Sequence, residues 1–185
     1  MSLQKLWEKY RQETVFNYSV LPEELRKKGE CLELDARCMI VSRGEFPHWI
    51  YFILEGTVTG IREYADGNEY SYFQLDKQNG SIGLLEILAR KDRYIATIVS
   101  TTKVKLLRIE AEVIYEAIME DKSLLRRSMS LLAEDLYQRS GKEGILYYFQ
   151  GIDRVRYYLT SYYEEHREDA ENGKLIVRAE YQDIA

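Results

Sequence analysis

Proline, histidine and cysteine each occur only twice in these 185 residues, and each scarcity closes off a class of chemistry. Two cysteines, Cys31 and Cys38, are too few for an iron–sulfur sensor, which takes four thiolates. The two histidines, His48 in a loop and His166 on a late helix, do not make the inward-facing histidine and carboxylate set of a cupin-type metal site. No Ser-His-Asp arrangement and no Walker-type glycine loop is present, so catalysis is not expected. Long apolar runs are missing too: nothing approaches bilayer-spanning length, and residues 1–18 are charged and amphipathic rather than a secretory leader. A cytoplasmic, reducing setting is the expectation. Both cysteines are read as small buried hydrophobes, with a Cys31/Cys38 thiol switch or haem ligation by Cys31, Cys38 or His48 as alternatives. Excess positive charge is also absent. The net charge of −5 gives no overall footprint for nucleic acid or membrane.

What is present is a change of texture along the chain. With 45% hydrophobic residues, the chain can bury one good core, or one domain and an appendage. Its aromatics are biased to 16 Tyr against 5 Phe, rings with a polar tip suited to core edges and amphipathic pockets. Residues 3–28 read as helical, with Leu3, Leu6 and Tyr10 on one face and Pro22 at a first-turn position. From Cys31 to Ile109, short β-branched and aromatic runs alternate with turn residues: 38–42, 50–54, 57–61, 69–73, 94–99 and 104–109. Asp66-Gly67 marks a hairpin, because a type I′ turn needs positive φ at both central residues. Strands so spaced predict an antiparallel barrel or sandwich. Helical spacing returns over 111–120. A longer helix over 122–149 carries Leu125, Met129, Leu132 and Leu136 at +4, +3, +4, a coiled-coil-like dimerisation seam. Gln150-Gly151 reads as a hinge, and Asp153 as the cap of a helix over 154–167. Asn172-Gly173 then makes a turn, 174–178 a short strand, and 180–185 the beginning of another helix.

This order of elements, with Gly44-Glu45, the run Tyr51–Gly56 followed by Thr57-Val58, the Asp66-Gly67 hairpin and Gly80-Ser81-Ile82-Gly83-Leu84-Leu85, resembles the CRP/FNR family of bacterial transcription regulators. The resemblance covers residues 15–185. It implies a mainly β fold with flanking helices: an antiparallel double-stranded β-helix (jelly-roll) barrel, a long dimerisation helix and the start of a winged helix-turn-helix domain. The implied divisions are an effector-sensing, cyclic-nucleotide-binding-like barrel over 1–120 with its N-terminal helices, a dimerisation helix over 121–150, and a linker helix with the start of the helix-turn-helix over 151–185. A helix-turn-helix reads bases with its second helix, and the chain ends at Ala185 before one. The expectation is a truncated chain, a homodimer without sequence-specific DNA affinity of its own, whose intact form binds DNA.

In relatives that bind cyclic nucleotides, the resemblance places a Gly-Glu-apolar-Gly/Ala loop and, about a dozen residues later, Arg-Ser/Thr-Ala. Amides at a helix start hold the phosphate, the Arg neutralises it, and the Glu takes the ribose hydroxyl. Here the two halves fall on Gly80-Ser81-Ile82-Gly83 and Tyr94-Ile95-Ala96. Ser81 stands for the acid, Tyr94 for the Arg and Ile95 for the hydroxyl residue. A phosphodiester buried without a cation loses several kcal/mol, and Arg90, Lys91 and Arg93 read as a solvated loop. No cofactor is implied. The expected pocket, closed by Arg139 and Ser140 of the long helix, suits a small neutral or aromatic effector, or none, and excludes tight binding of cyclic AMP or cyclic GMP. The competing reading is a dimeric cyclic-nucleotide-binding-like module that controls a partner other than DNA.

Overall fold

The computed structural model describes residues 2–11, 13–63, 69–148 and 151–165; at 62–63, 69–70, 72, 138–139, 141–148, 151, 153–154, 157 and 164–165 only the backbone is described. The expectations at Asp66-Gly67, Gln150, His166 and 172–185 lie outside these residues. Two compact units divide the chain, Met1–Glu134 and Asp135–Ala185.

Among the described residues, eight strands form two four-stranded antiparallel sheets: β1 (Glu30–Leu34), β2 (Met39–Val41), β3 (Trp49–Glu55), β4 (Val58–Glu63), β5 (Glu69–Leu75), β6 (Ser81–Ile82), β7 (Thr97–Ser100) and β8 (Val104–Glu110). Their orders are β1-β8-β3-β6 and β2-β7-β4-β5. The expected antiparallel jelly-roll is present as these two four-stranded sheets. β4 and β5 pair antiparallel from Val58 opposite Leu75 to Glu63 opposite Glu69.

Strand β3 explains why its sequence is an unbroken apolar run rather than an alternation. Ile50 and Phe52 face one cluster with Phe16, Leu21, Leu25, Ile114, Ile118 and Leu124. Tyr51 and Ile53 face a second cluster between the sheets, with Val41, Val58, Ile82, Tyr94, Ile98 and Leu106. Both faces are buried, so every position is apolar. Strand β8 divides likewise, Leu107 and Ile109 to the first cluster and Val104 and Leu106 to the second. Helices thus cover one face of the first sheet, and the second sheet covers the other.

Around these lie α1 (Leu3–Tyr10), α2 (Glu23–Arg26), α3 (Leu84–Leu88), α4 (Ala111–Glu120), α5 (Lys122–Tyr148) and α6 (Gly151–Glu165). The helical stretch expected over 3–28 is broken into α1, a 3-10 turn at Tyr18–Val20 and α2. Asn17 caps the 3-10 turn, its Oδ1 accepting from the Ser19 amide at 3.0 Å. Two strands escaped the sequence pattern. β1 is a largely exposed edge strand and β6 has only two residues. The strand expected at 94–99 begins only at Thr97. Asp153 lies within α6 rather than capping it, since Gly151 is already helical. Cys31 is exposed rather than buried, because β1 turns it away from both clusters; Cys38 is half-buried, and both are free thiols. In α5, Leu124 and Ser128 are buried while Met129 is 63% exposed and Leu136 66%. Tyr158 and Tyr162 of α6 share a face as the i, i+4 spacing predicts, their rings stacked at 6.1 Å.

Candidate effector site

The Gly80–Gly83 quartet divides between two elements. Gly80 is buried at the end of a loop, and its carbonyl accepts from the Ile53 amide at 3.2 Å. Asp76 and Asn79 cross-cap the loop before it: Asn79 Oδ1 accepts from the Asp76 amide, and Asp76 Oδ1 from the amides of Gln78 and Asn79. From beyond the sheet, buried Asn17 donates through Nδ2 to the carbonyls of Lys77 and Gln78, at 3.1 and 2.7 Å. This clamp went unread in the sequence, where an isolated Asn ahead of a short helix signals only a cap. Ser81 and Ile82 form β6 opposite Phe52 and Tyr51, so they belong to the sheet. Only Gly83 stands at a helix start, with φ of +92° at the cap of α3. A side chain there would meet Ile50, the Trp49 carbonyl and the Tyr94 ring.

Tyr94 fills the space at which this loop is aimed. It is 5% exposed, its hydroxyl donates to the Trp49 carbonyl at 2.8 Å, and its amide donates to the Glu45 carbonyl at 2.9 Å. Burial raises its phenol pKa well above the ordinary value, with Tyr51 and Glu86 adding to the effect and the Trp49 hydrogen bond opposing it. Tyr51 is raised for the same first reason, against the opposing Arg108. Both remain neutral hydrogen-bonding groups. Ile95, by contrast, is 57% exposed, while Ala96 is buried in the cluster between the sheets. The Ile95 amide donates at 3.1 Å to the carboxylate of Glu86, a residue only 7% exposed on α3. An acid of this chain therefore already faces the Tyr94-Ile95-Ala96 segment. Glu86 was missed because a carboxylate among the leucines of α3 has no sequence signature of burial.

The cavity that reaches Tyr94 has a volume of about 310 Å³ and is walled by Ile40, Val41, Glu45, Phe46, His48, Trp49, Tyr51 and Tyr94. Ser81, Ile82, Gly83 and Ile95 are not among its walls. Aromatic rings dominate, and the one charged group, Glu45, is an acid. The Arg108 guanidinium lies 4.4 Å over the Trp49 ring and is held by Glu30 at 2.8 Å. Arg90, Lys91 and Arg93 are exposed, as a solvated loop would be, and Arg90 and Lys91 border a separate groove of about 530 Å³ beside α4. Phe46, 56% exposed, borders both spaces. These walls can stack on a flat or apolar molecule and donate or accept a few hydrogen bonds; they offer a phosphate no cation. Ser140 is exposed on α5, and the Arg139 side chain lies outside the described residues. Among the described residues, no cluster of three histidine, cysteine or acidic side chains could hold a metal, and no helix is long and apolar enough to cross a membrane.

Tyr94→Phe is expected to cost about 1–3 kcal/mol, the penalty for leaving the buried Trp49 carbonyl without its donor. Urea unfolding measures this directly, and an unchanged midpoint would show that water reaches that carbonyl.

Residues 31–121 match the family model described as the cyclic nucleotide-binding domain. No curated protein sequence matches the chain. Among solved structures, the catabolite activator protein of Thermus thermophilus superposes with a TM-score of 0.61 at 19% identity, over 80% of this chain and 70% of that one. The sensor domain of the transcriptional regulator DNR from Pseudomonas aeruginosa gives 0.57 at 19% identity, over 76% and 95%. The c-di-GMP responsive global regulator CLP of Xanthomonas campestris gives 0.59 at 18% identity, over 75% and 69%. At such identities the shared property is the fold.

Proposed function

We propose, from the match of residues 31–121 to the cyclic nucleotide-binding domain model, that this chain is the effector-sensing part of a dimeric CRP/FNR-type transcription regulator whose ligand is not a cyclic nucleotide. The ligand class follows from the cavity walls: a small neutral or aromatic molecule stacked among Phe46, Trp49, Tyr51 and Tyr94. Gly80 and Gly83 serve the architecture of the loop, and Tyr94 takes the volume where a phosphate and its Arg would need to be.

The observation that carries the reading is the alternation along β3. Tyr51 borders the cavity, and its neighbour Phe52 packs in the cluster that seats Leu124 of α5. A ligand that moves Tyr51 has a direct mechanical route through one strand to the root of the helix carrying the dimer seam. Regulation would then be a population shift between two settings of that helix, biased by whichever setting binds the ligand better. In this reading the divisions are 1–120, 121–150 and 151–185, with DNA binding assigned to the helix-turn-helix domain of the regulator.

Two measurements test the proposal. Calorimetry with cyclic AMP and cyclic GMP is expected to show no tight binding, and a low-micromolar dissociation constant for either overturns the ligand assignment. Selection from random DNA by a protein extended through a complete helix-turn-helix should enrich a two-fold-symmetric site with half-sites about 10 base pairs apart, while the 185-residue chain enriches nothing. Enrichment of no sequence by the extended protein would favour a dimeric module acting on another partner.

A further inference from the structure

Helix α1 exposes an entire apolar face. Leu3, Leu6, Trp7 and Tyr10 follow the +3, +1, +3 spacing of a single stripe, and they are 59%, 39%, 64% and 37% exposed. No residue of the helix is buried. Eight residues are too few for a stable isolated helix in water, and so dense an exposed apolar stripe marks an interaction surface.

What α1 leads into says where that surface lies. Arg126 of α5 holds the Glu13 carboxylate through both Nε and a terminal nitrogen, at 2.5 and 3.1 Å, and its guanidinium stands 5.0 Å from the Tyr10 ring centre. The bond from Arg126 keeps the Glu13 carboxyl below the usual carboxylate range. Arg127 adds a bond to the Val15 carbonyl at 3.4 Å. The exit of α1 is thus stapled to the first turns of α5. At 100° per residue, Met129 falls on α5 between the Leu125/Leu132 side and the Arg126 side. Leu124 and Ser128 point into the core instead. The stripe of α1 and the seam of α5 are therefore neighbours on one side of the molecule.

We infer that α1 forms part of the self-association surface, its apolar face covered by the Leu125–Met129–Leu132 seam of a second copy of this chain, reciprocally about a two-fold axis. The inference rests on the reading that the chain dimerises through α5, and area is the argument for extending it. A stable interface takes about 800 Å² from each partner. Leu125 and Leu132 are already half-buried, which leaves Met129 and Leu136 as the widely exposed members of the seam. Trp7, with 64% of its surface still open, and Tyr10, with 37%, add to it the exposed part of two large aromatic rings. An isologous patch must also complement itself, and apolar stripes on both helices do so. A lipid surface is disfavoured by charge: Lys5, Glu8 and Lys9 nearly cancel, and a chain of net charge −5 is repelled by anionic headgroups.

Sedimentation velocity on the 185-residue protein is the test. Trp7→Glu should raise the dimer dissociation constant at least about thirtyfold, the scale of a tryptophan hot spot, while Trp7→Phe changes it little. Thermal melting should be unaltered by either variant, since Trp7 touches no core. With 5-fluorotryptophan incorporated, the 19F resonance absent from Trp7→Phe should shift as concentration passes through the dissociation constant. If Met129→Glu dissociates the dimer and Trp7→Glu does not, the role of α1 falls and dimerisation through α5 stands. A wild-type chain that stays monomeric at high concentration removes both. A Trp7 resonance that moves with phosphatidylserine vesicles and not with protein concentration would overturn the choice of partner.

Discussion

Gly80→Ala is expected to lower stability by about 3 kcal/mol or more. A Cβ at this position would overlap the Asp76 carbonyl oxygen and lie 2.7 Å from Ile53 Cδ1. The oxygen cannot yield cheaply, because the Asp76–Asn79 cross-caps and the Asn17 clamp hold the loop on both sides. Two other glycines separate the causes. Gly44 has φ of +92° with nothing within 4 Å of a built Cβ, so Gly44→Ala should show only the backbone cost of about 1–2 kcal/mol. Gly83 has the same φ and contacts of 2.9 Å to Ile50 and the Trp49 carbonyl, and should fall between. Urea unfolding at unchanged m value ranks the three. A Gly80→Ala protein within 1 kcal/mol of wild type would mean that the 76–79 loop can shift, and that the clamp does not hold the site.

Phe52→Ala should cost about 3–5 kcal/mol, a third or more of the stability typical of a domain. The side chain is fully buried, its ring centre is 6.2 Å from that of Phe16, and its neighbours come from four separate stretches of chain that cannot all close around a cavity. Its position gives a second readout. Phe52 packs in the cluster that seats Leu124, so this variant should raise amide exchange at the start of α5 more than in the β4–β5 hairpin. Ile53→Val, on the other face of the same strand, should cost only about 0.5–1.5 kcal/mol and reverse that order. Equal exchange increases in both places would show that the two clusters unfold as one, and that β3 does not keep cavity and helix root mechanically distinct.

Much of this organisation was legible because it is written in short-range periodicity. The apolar runs at 50–54 and 104–109, the return to helical spacing at 111 and the uninterrupted pattern over 122–148 all follow from neighbours along the chain. Legibility failed where a partner distant in sequence decides. β1 pairs with β8, and β6 with β3; β6 is too short to show an alternation, and β1 shows one only over Leu32-Glu33-Leu34. Tyr94 was readable as a residue without the charge a phosphate needs. Its burial, and its bond to a carbonyl 45 residues away, were not. Nor was the Glu86 carboxylate on the Ile95 amide, since a charged residue in a short amphipathic helix is ordinarily solvated.

By itself, then, the chain's local chemistry determined that a β domain precedes a long helix and that turn residues, glycine among them, punctuate its strands. Tertiary structure alone decided that two sheets face each other, that Phe46, Trp49, Tyr51 and Tyr94 surround one cavity, and that Arg126 ties the exit of α1 to α5. The physical reason is the range of the forces involved. Backbone preference and hydrophobic periodicity act over a few residues, whereas burial and ion pairing are set by whichever groups the closed fold brings within a few ångströms.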